Sequence, residues 1–120
     1  MFLVGVAGGS GSGKTPFAQK VIDRVGDESV VLMHQDSYYR DGDGLNFDHP
    51  DAFDWPLLRE HLAVLREGGE IHAPVYDYVG SRRSTQTVTV GPAKVLIMEG
   101  IYTLWDERMR DLFDLRVFLH

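Results

Sequence analysis

The chain has 120 residues, of which 43% are hydrophobic and 25% charged, a formal net charge of −6, and no cysteine. This length allows one domain with a modest core, the composition excludes a disordered chain, and the lack of cysteine excludes disulfides and thiolate metal sites. The negative charge argues against a nucleic-acid polymer or an anionic membrane surface as partner, although backbone N–H groups can still hold a small phosphate. The apolar start, MFLVGVA, has no basic flank, and no segment reaches transmembrane length, so we expect a cytoplasmic protein.

The first third of the chain predicts a strand, a helix and a second strand. Residues 2–7 form a short apolar run that contains a glycine, which is typical of a strand buried on both faces. Apolar residues then recur at helical spacing from Pro16 to Val25, and Gly26 follows where a C-cap glycine is expected. Residues 30–34, VVLMH, predict the second buried strand.

A polar and aromatic loop over residues 35–56 follows the second strand. Compact domains rarely carry so long a loop without a function, so we expect it to contribute to a site. After it, leucines at helical spacing predict a helix from Pro56, with Asp54 as its N-cap and the pair Gly68-Gly69 as its end.

The last part of the chain predicts a hairpin and a return to the sheet. Residues 71–79 and 84–90 alternate like the two strands of a β-hairpin. The apolar run 94–99 predicts a third buried strand, the apolar positions from Trp105 to Phe113 a short amphipathic helix, and residues 115–120 a final strand. Alternating strands and helices indicate an α/β fold with a parallel sheet, flanking helices and one inserted β-hairpin.

The sharpest motif lies between the first predicted strand and helix, and reads GGSGSGKT. It has the P-loop spacing, in which glycines let the loop curl so that its N–H groups face phosphates. Lys14 supplies positive charge to the β- and γ-phosphates, and the Thr15 hydroxyl can ligate Mg²⁺. The motif predicts a P-loop NTPase-type sheet that binds a nucleoside triphosphate through Gly8, Gly9, Ser10, Gly11, Ser12, Gly13, Lys14 and Thr15.

Two carboxylates follow buried strands. Glu99 ends the run VLIME, and P-loop enzymes take a magnesium-handling acid from a strand next to the P-loop strand. Asp36 follows the second strand, where ligands of open α/β sheets bind, and it is suited to act as base toward an acceptor hydroxyl. The alternatives are that Glu99 simply ends its strand and that Asp36 only forms a turn before Ser37.

A dedicated protein metal site in the long loop is disfavoured. The segment 41–52 superficially resembles a calcium loop, but it has Asn46 where glycine is needed and Ala52 where glutamate is needed. His49 has no second histidine at helical metal spacing, and His61 lies on the apolar face of a predicted helix, where a core-edge histidine is expected.

These motifs occur in one order with the segments QDSYYR, NFDHPDAFDW, PVYDYV, TVTV and LIMEGIY. Over nearly its whole length the chain resembles the uridine (uridine–cytidine) kinases, within the phosphoribulokinase/uridine kinase group of P-loop kinases. The resemblance implies transfer of the γ-phosphoryl of ATP or GTP, with Mg²⁺, to the 5′-hydroxyl of uridine or cytidine, giving UMP or CMP in pyrimidine salvage. It also implies a small-molecule nucleoside substrate and a homo-oligomer.

The resemblance also implies roles for single residues. Asp36 matches the catalytic base, which acts together with Lys14 and approaches the magnesium, and Thr15 and Glu99 match the other magnesium-site residues. Asp48 matches the carboxylate that holds the ribose hydroxyls. The aromatics that match the lining of the nucleoside pocket, each with hairpin or loop packing as an alternative role, are Tyr39, Phe47, Tyr76 and Tyr78.

The chain departs from the family pattern at two places. Ser81 stands where the family commonly has a histidine that reads the pyrimidine edge, which leaves base preference open, and Arg82 or Arg83 could replace that contact; Arg83 is the candidate. The second departure is length, because the sequence stops before the arginine-rich lid that covers the phosphates in the family. The resemblance therefore implies one kinase domain, residues 1–120, truncated before its lid.

Two other functions stay open. One is a related kinase such as phosphoribulokinase, which NFDHPDAFD and PVYDY disfavour, and whose bisphosphate site would need more basic residues than Arg40, Arg82 and Arg83. The other is a nucleotide-binding module that lacks useful catalysis without a lid, although such a binder would not need Asp36 and Glu99.

Overall fold

The computed structural model describes residues 1–8, 14–26, 30–40, 49–77, 79–80 and 82–119, without the side chains of Lys14 and Thr15. The elements are β1 (Phe2–Ala7), α1 (Lys14–Val25), β2 (Val30–His34), a 3₁₀ turn (Gln35–Tyr38), a second 3₁₀ turn (Pro50–Ala52), α2 (Trp55–Arg66), β3 (Ile71–Asp77), β4 (Arg82–Val90), β5 (Val95–Gly100), α3 (Glu107–Arg110) and β6 (Leu115–Phe118). None of the described helices is long and apolar enough to cross a membrane.

Four strands form one parallel sheet in the order β2-β5-β1-β6. The predicted α/β fold with a parallel sheet is therefore confirmed. Strand β5 lies between β1 and β2, so the connection from β1 through α1 to β2 skips one strand position, which β5 fills later. The predicted hairpin is also present: β3 and β4 pair antiparallel from Ile71 opposite Val90 to Asp77 opposite Arg82.

The two faces of the sheet carry separate apolar clusters, because alternate residues of a strand point to opposite faces. On one face, Val4 and Val6 of β1 pack with Ile97 of β5 and with Ala18 of α1. On the other face, Leu3 and Ala7 of β1 belong to the larger cluster that includes α2, the hairpin and the segment before β6. The same alternation places Gly5 on the second face.

Several predicted element ends agree with the structure. Strands β1 and β2 have the predicted bounds. Gly26 follows α1 with φ +89°, and Gly68 follows α2 with φ +88°, a left-handed conformation that glycine adopts without steric cost. Asp54 is the N-cap of α2, since its side chain accepts the N–H of Leu57, and Pro56 occupies the first turn.

The predicted helix from Trp105 to Phe113 is wrong in extent. Only Glu107–Arg110 are helical, because the Asp106 side chain accepts the N–H of Met109 and so begins the helix after Trp105. Trp105 instead stacks on Trp55 at 6.0 Å between ring centroids. Apolar spacing marked the buried positions of this segment, but the N-cap at Asp106 decided where the helix begins.

Candidate active site

The site lies at the C-terminal end of the parallel sheet, where the carboxyl ends of β1, β5 and β2 lie side by side. In the register of the sheet, Glu99 of β5 lies opposite Val6 of β1 and opposite His34 of β2. The residue after β1 is Gly8, the first glycine of the P-loop motif, and α1 begins at Lys14. The structure therefore confirms both that the P-loop lies between a strand and a helix and that Glu99 comes from a strand next to the P-loop strand.

The carboxylate of Glu99 has one occupied and one available oxygen. Its Oε1 lies 2.8 Å from Nδ1 of His34, and the side chain is 11% exposed. Its Oε2 is buried and has no hydrogen-bond partner among the described residues. A buried carboxylate oxygen without a partner is costly, so this atom fits a place where a cation is bound.

Asp36 lies on an exposed position of a well-anchored turn. Its neighbours in the 3₁₀ turn, Gln35 and Tyr38, are 1% and 0% exposed. The Tyr38 hydroxyl lies 2.8 Å from Nδ1 of His61 on α2. Burial raises the pKa of Tyr38 and lowers the pKa of His61, so burial favours the neutral form of both groups. His61 is thus a core-edge histidine, as predicted.

Two of the predicted pocket aromatics come together beside this turn. The ring of Tyr39 lies 5.2 Å from that of Tyr76 on β3 and stacks on Phe53 at 4.6 Å. The backbones of Tyr39 and Phe53 also form an isolated antiparallel bridge, which holds the two ends of the long loop together. Tyr76 is 7% exposed, so its ring is mostly covered by protein.

Arg83 on β4 has fixed partners in the structure. Its Nε donates to the carbonyl of Tyr39 at 3.1 Å, and its Nη2 lies 2.8 Å from Oδ2 of Asp54. Since Asp54 also caps α2, Arg83 connects the hairpin to that helix and to the segment after Asp36. These contacts orient its guanidinium at the edge of the candidate site.

Two cavities lie next to the Tyr39 ring system. The first, about 230 Å³, is lined by Leu32, Met33, His34, Ser37, Tyr38, Ala73, Pro74, Val75, Tyr76, Val88 and Val90. The second, about 640 Å³, is more polar and is lined by Arg40, Asp51, Phe53, Asp54, Trp55, Pro56 and Arg83. Tyr39 contacts Tyr76 in the first lining and Phe53 in the second.

Some predicted site residues lie outside the described part of the chain. They are residues 9–13, the side chains of Lys14 and Thr15, Phe47, Asp48 and Tyr78, and Ser81 is outside it as well. Within the described part, no three histidine, aspartate or glutamate side chains converge as a metal site.

Sequence reasoning missed three side chains at this end of the sheet. His34 pairs with Glu99, Phe53 stacks on Tyr39, and Gln35 accepts the N–H of Tyr102 at 3.1 Å. A polar residue at the end of a buried strand was an available signal for His34 and Gln35. No local pattern marked Phe53, whose partner lies across the loop.

Comparison with known proteins is consistent with this geometry. The profile of the family described as PRK: Phosphoribulokinase / Uridine kinase family matches residues 3–120. The chain belongs to the phosphoribulokinase/uridine kinase family. A uridine kinase from Deinococcus deserti is 47% identical over 126 residues, which cover 98% of the chain and 61% of the relative. A uridine kinase from Halalkalibacterium halodurans is 46% identical, over 98% of the chain and 59% of the relative.

Solved structures support the fold of this phosphoribulokinase/uridine kinase family member. A protein described as a possible uridine kinase from Bacillus stearothermophilus superposes with a TM-score of 0.76 at 23% identity, over 98% of the chain and 69% of that structure. D-glycerate 3-kinase from Cryptococcus neoformans gives a TM-score of 0.64 at 27% identity, over 85% of the chain and 43% of that structure. The chain spans about 60% of the length of the curated relatives it matches.

Proposed function

We propose that the protein transfers the γ-phosphoryl group of ATP or GTP to the 5′-hydroxyl of uridine or cytidine, giving UMP or CMP. The observation that carries the proposal is the meeting of three strand ends. The start of the P-loop, the partly buried carboxylate of Glu99 and the turn that carries Asp36 lie at the carboxyl ends of neighbouring strands. A phosphate donor and an acceptor hydroxyl can be held together at such strand ends.

The uridine kinases among the relatives support a pyrimidine nucleoside as the acceptor. We assign Tyr39, Phe47, Tyr76 and Tyr78 to the nucleoside pocket. The described pair of these, Tyr39 and Tyr76, lies beside the turn that carries Asp36. A carboxylate can accept hydrogen bonds from both hydroxyl groups of a ribose diol, and we assign this role to Asp48. We also assign Arg83 to this set, an assignment supported by its hydrogen bond to the carbonyl of Tyr39.

The proposed reaction is an in-line displacement at the γ-phosphorus. The nucleoside 5′-oxygen forms a bond to this phosphorus while the bond to the bridging oxygen of the β-phosphate breaks, and the nucleoside diphosphate leaves with that electron pair. Asp36 accepts the proton that the 5′-hydroxyl loses. Lys14 and the P-loop N–H groups hold the phosphates and offset the charge that develops on them.

Magnesium fits the carboxylates at this end of the sheet. Thr15, Asp36 and Glu99 would hold it, and the partnerless Oε2 of Glu99 is the observation that favours a cation there. When bound, Mg²⁺ neutralises negative charge on the phosphate oxygens. His34 holds the other oxygen of Glu99 and so limits the orientations that this carboxylate can take.

Substitution of Asp36 by asparagine tests the proposal. The intact natural protein is incubated with labelled ATP, Mg²⁺ and a panel containing uridine, cytidine, purine nucleosides and ribulose 5-phosphate. We expect pyrimidine nucleoside monophosphates as products. We expect Asp36→Asn to lower kcat by at least ~100-fold, because the proton acceptor is lost, while the Kd for ATP stays within about twofold.

Asp111→Asn is the matched control, because Asp111 is an exposed aspartate that follows α3, and it should retain wild-type turnover. Phosphorylation of ribulose 5-phosphate instead of nucleosides would contradict the proposed substrate class. Unchanged turnover in Asp36→Asn would show that Asp36 is not the base.

A further inference from the structure

A buried carboxamide connects the two strand ends that carry the acidic residues. Gln35 directly precedes Asp36 and is 1% exposed. Its Oε1 accepts the backbone N–H of Tyr102 at 3.1 Å, across 67 positions of the chain. Tyr102 lies in the turn that directly follows β5, three residues after Glu99. One hydrogen bond therefore joins the segment of Asp36 to the segment of Glu99.

Gly100 shows how closely these two segments approach each other. A Cβ atom built on Gly100 would lie 2.5 Å from Oε1 and 2.6 Å from Cβ of Gln35, and 3.1 Å from Oγ1 of Thr103. Side chains do not normally approach a Cβ within 3.0 Å, so any larger residue at this position would displace Gln35. The absence of a side chain next to Glu99 is thus what lets the carboxamide reach Tyr102.

Only one of the two polar atoms of the Gln35 carboxamide has a hydrogen-bond partner among the described residues. Nε2 of Gln35 is buried and has no hydrogen-bond partner among the described residues. A buried amide that leaves one donor unpaired costs free energy, and an apolar side chain of similar size would avoid that cost. The hydrogen bond that Oε1 accepts from the Tyr102 N–H offsets part of this cost.

We propose that Gln35 is a positioning residue, which sets the separation of the Asp36 and Glu99 carboxylates through its hydrogen bond to the Tyr102 N–H. The inference rests on the proposed function, because it concerns two residues assigned to the magnesium and the acceptor hydroxyl. Groups that orient metal-binding carboxylates contribute strongly, and their loss costs ~10–100-fold in metal affinity or activity. Gln35 acts through its neighbours and need not touch substrate.

The test compares three substitutions in the intact natural protein. Gln35→Leu removes the acceptor and keeps much of the volume, Gln35→Glu keeps an oxygen where Oε1 lies, and Gln86→Leu repeats the first change at an exposed position. For Gln35→Leu we expect the Mg²⁺ concentration that gives half-maximal turnover to rise by ~10-fold or more, and kcat to fall. We expect the KM for the nucleoside and the Kd for ATP without Mg²⁺ to stay within about twofold. Gln86→Leu should behave like the wild type, and Gln35→Glu should keep the Tyr102 hydrogen bond while its added charge at a buried position lowers stability.

Two readouts do not depend on turnover. The first is binding of ATP at increasing Mg²⁺, where the enhancement of ATP affinity by Mg²⁺ should weaken in Gln35→Leu and not in Gln86→Leu. The second is hydrogen exchange of the Tyr102 amide, which should be faster in Gln35→Leu because its acceptor is gone. Gly100→Ala should have the same effects as Gln35→Leu, since the added Cβ displaces the carboxamide.

The outcomes separate this inference from the proposed function. A wild-type protein that transfers no phosphoryl group to nucleosides contradicts the proposed function, whatever Gln35 does. An active wild type in which Gln35→Leu leaves the magnesium dependence unchanged overturns the positioning role. If the Tyr102 amide exchanges as slowly in Gln35→Leu as in the wild type, the hydrogen bond does not hold the two segments together, and the inference also fails.

Discussion

Single side chains at the C-terminal end of the sheet are held by partners far away in sequence. Glu99 pairs with His34 across 65 positions, and Tyr38 bonds His61 across 23. The first contact leaves Oε2 of Glu99 without a partner among the described residues, and the second anchors the turn that carries the exposed Asp36. Fixed partners reduce the number of orientations that functional side chains can adopt, which is the basis of preorganised sites.

The contact between Tyr38 and His61 gives a testable prediction at this scale. Tyr38→Phe removes the hydroxyl and leaves Nδ1 of the partly buried His61 without this partner, so we expect the free energy of unfolding to fall by about 1 kcal/mol. Urea denaturation at neutral pH measures this change. In a double-mutant cycle with His61→Leu, the two changes should be non-additive. Strictly additive changes would mean that the hydrogen bond does not stabilise the fold.

The elements of the fold are connected through their ends. Asp54 caps α2 with one carboxylate oxygen and pairs with Arg83 of β4 through the other. Arg83 in turn donates to the backbone of Tyr39, so one residue at a helix terminus links the helix, the hairpin and the loop beside Asp36. A change at this cap should therefore affect more than the helix that it begins.

Two substitutions of Asp54 separate capping from ion pairing. Asp54→Ala removes both contacts, and we expect a loss of about 1–2 kcal/mol in the free energy of unfolding. Asp54→Asn keeps an N-cap acceptor but loses the charge, so its loss should be smaller. Chemical denaturation followed by circular dichroism measures both. Equal losses in the two variants would mean that the cap contributes nothing and the Arg83 pair accounts for the whole effect.

At the scale of the whole described chain, Asp114 connects the segment before β6 to β1 and α2. Asp114, just before β6, accepts the N–H of Leu3 at 2.8 Å and pairs with Arg66 of α2 at 2.9 Å. These contacts hold the start of the edge strand β6 against β1 and against the C-terminal end of α2. The hydrogen bond from Leu3, and then Arg66, lower the pKa of the Asp114 carboxyl below its ordinary value of 3.8.

The lowered pKa of Asp114 predicts how stability depends on pH. Because the folded-state pKa lies below the unfolded value of 3.8, the charged form stabilises the fold above that pH, and this stabilisation is lost as the pH falls through the folded-state pKa. Because Asp114 is exposed and solvent screens its interactions, we expect Asp114→Asn to lower the free energy of unfolding by only about 1 kcal/mol at pH 7. The difference from the wild type should shrink below about pH 4. Denaturation curves at several pH values measure it, with Asp111→Asn as a control that should match the wild type throughout.

Sequence patterns determined the local elements and the positions of several candidate residues. The bounds of β1 and β2, the cap at Asp54 and the stops at Gly26 and Gly68 follow from apolar runs, a capping side chain and left-handed glycines. These are short-range preferences, so a single sequence is enough to predict them. The P-loop motif and the acidic strand end likewise predicted which end of the sheet would carry the site.

Only the tertiary structure decided which of these pieces meet. The insertion of β5 between β1 and β2, the pairing of Glu99 with His34 and the bond from Tyr102 to Gln35 join residues more than 60 positions apart. Such contacts depend on how whole elements pack, and local periodicity carries no information about them, so the partners of the predicted acids became visible only in the folded chain.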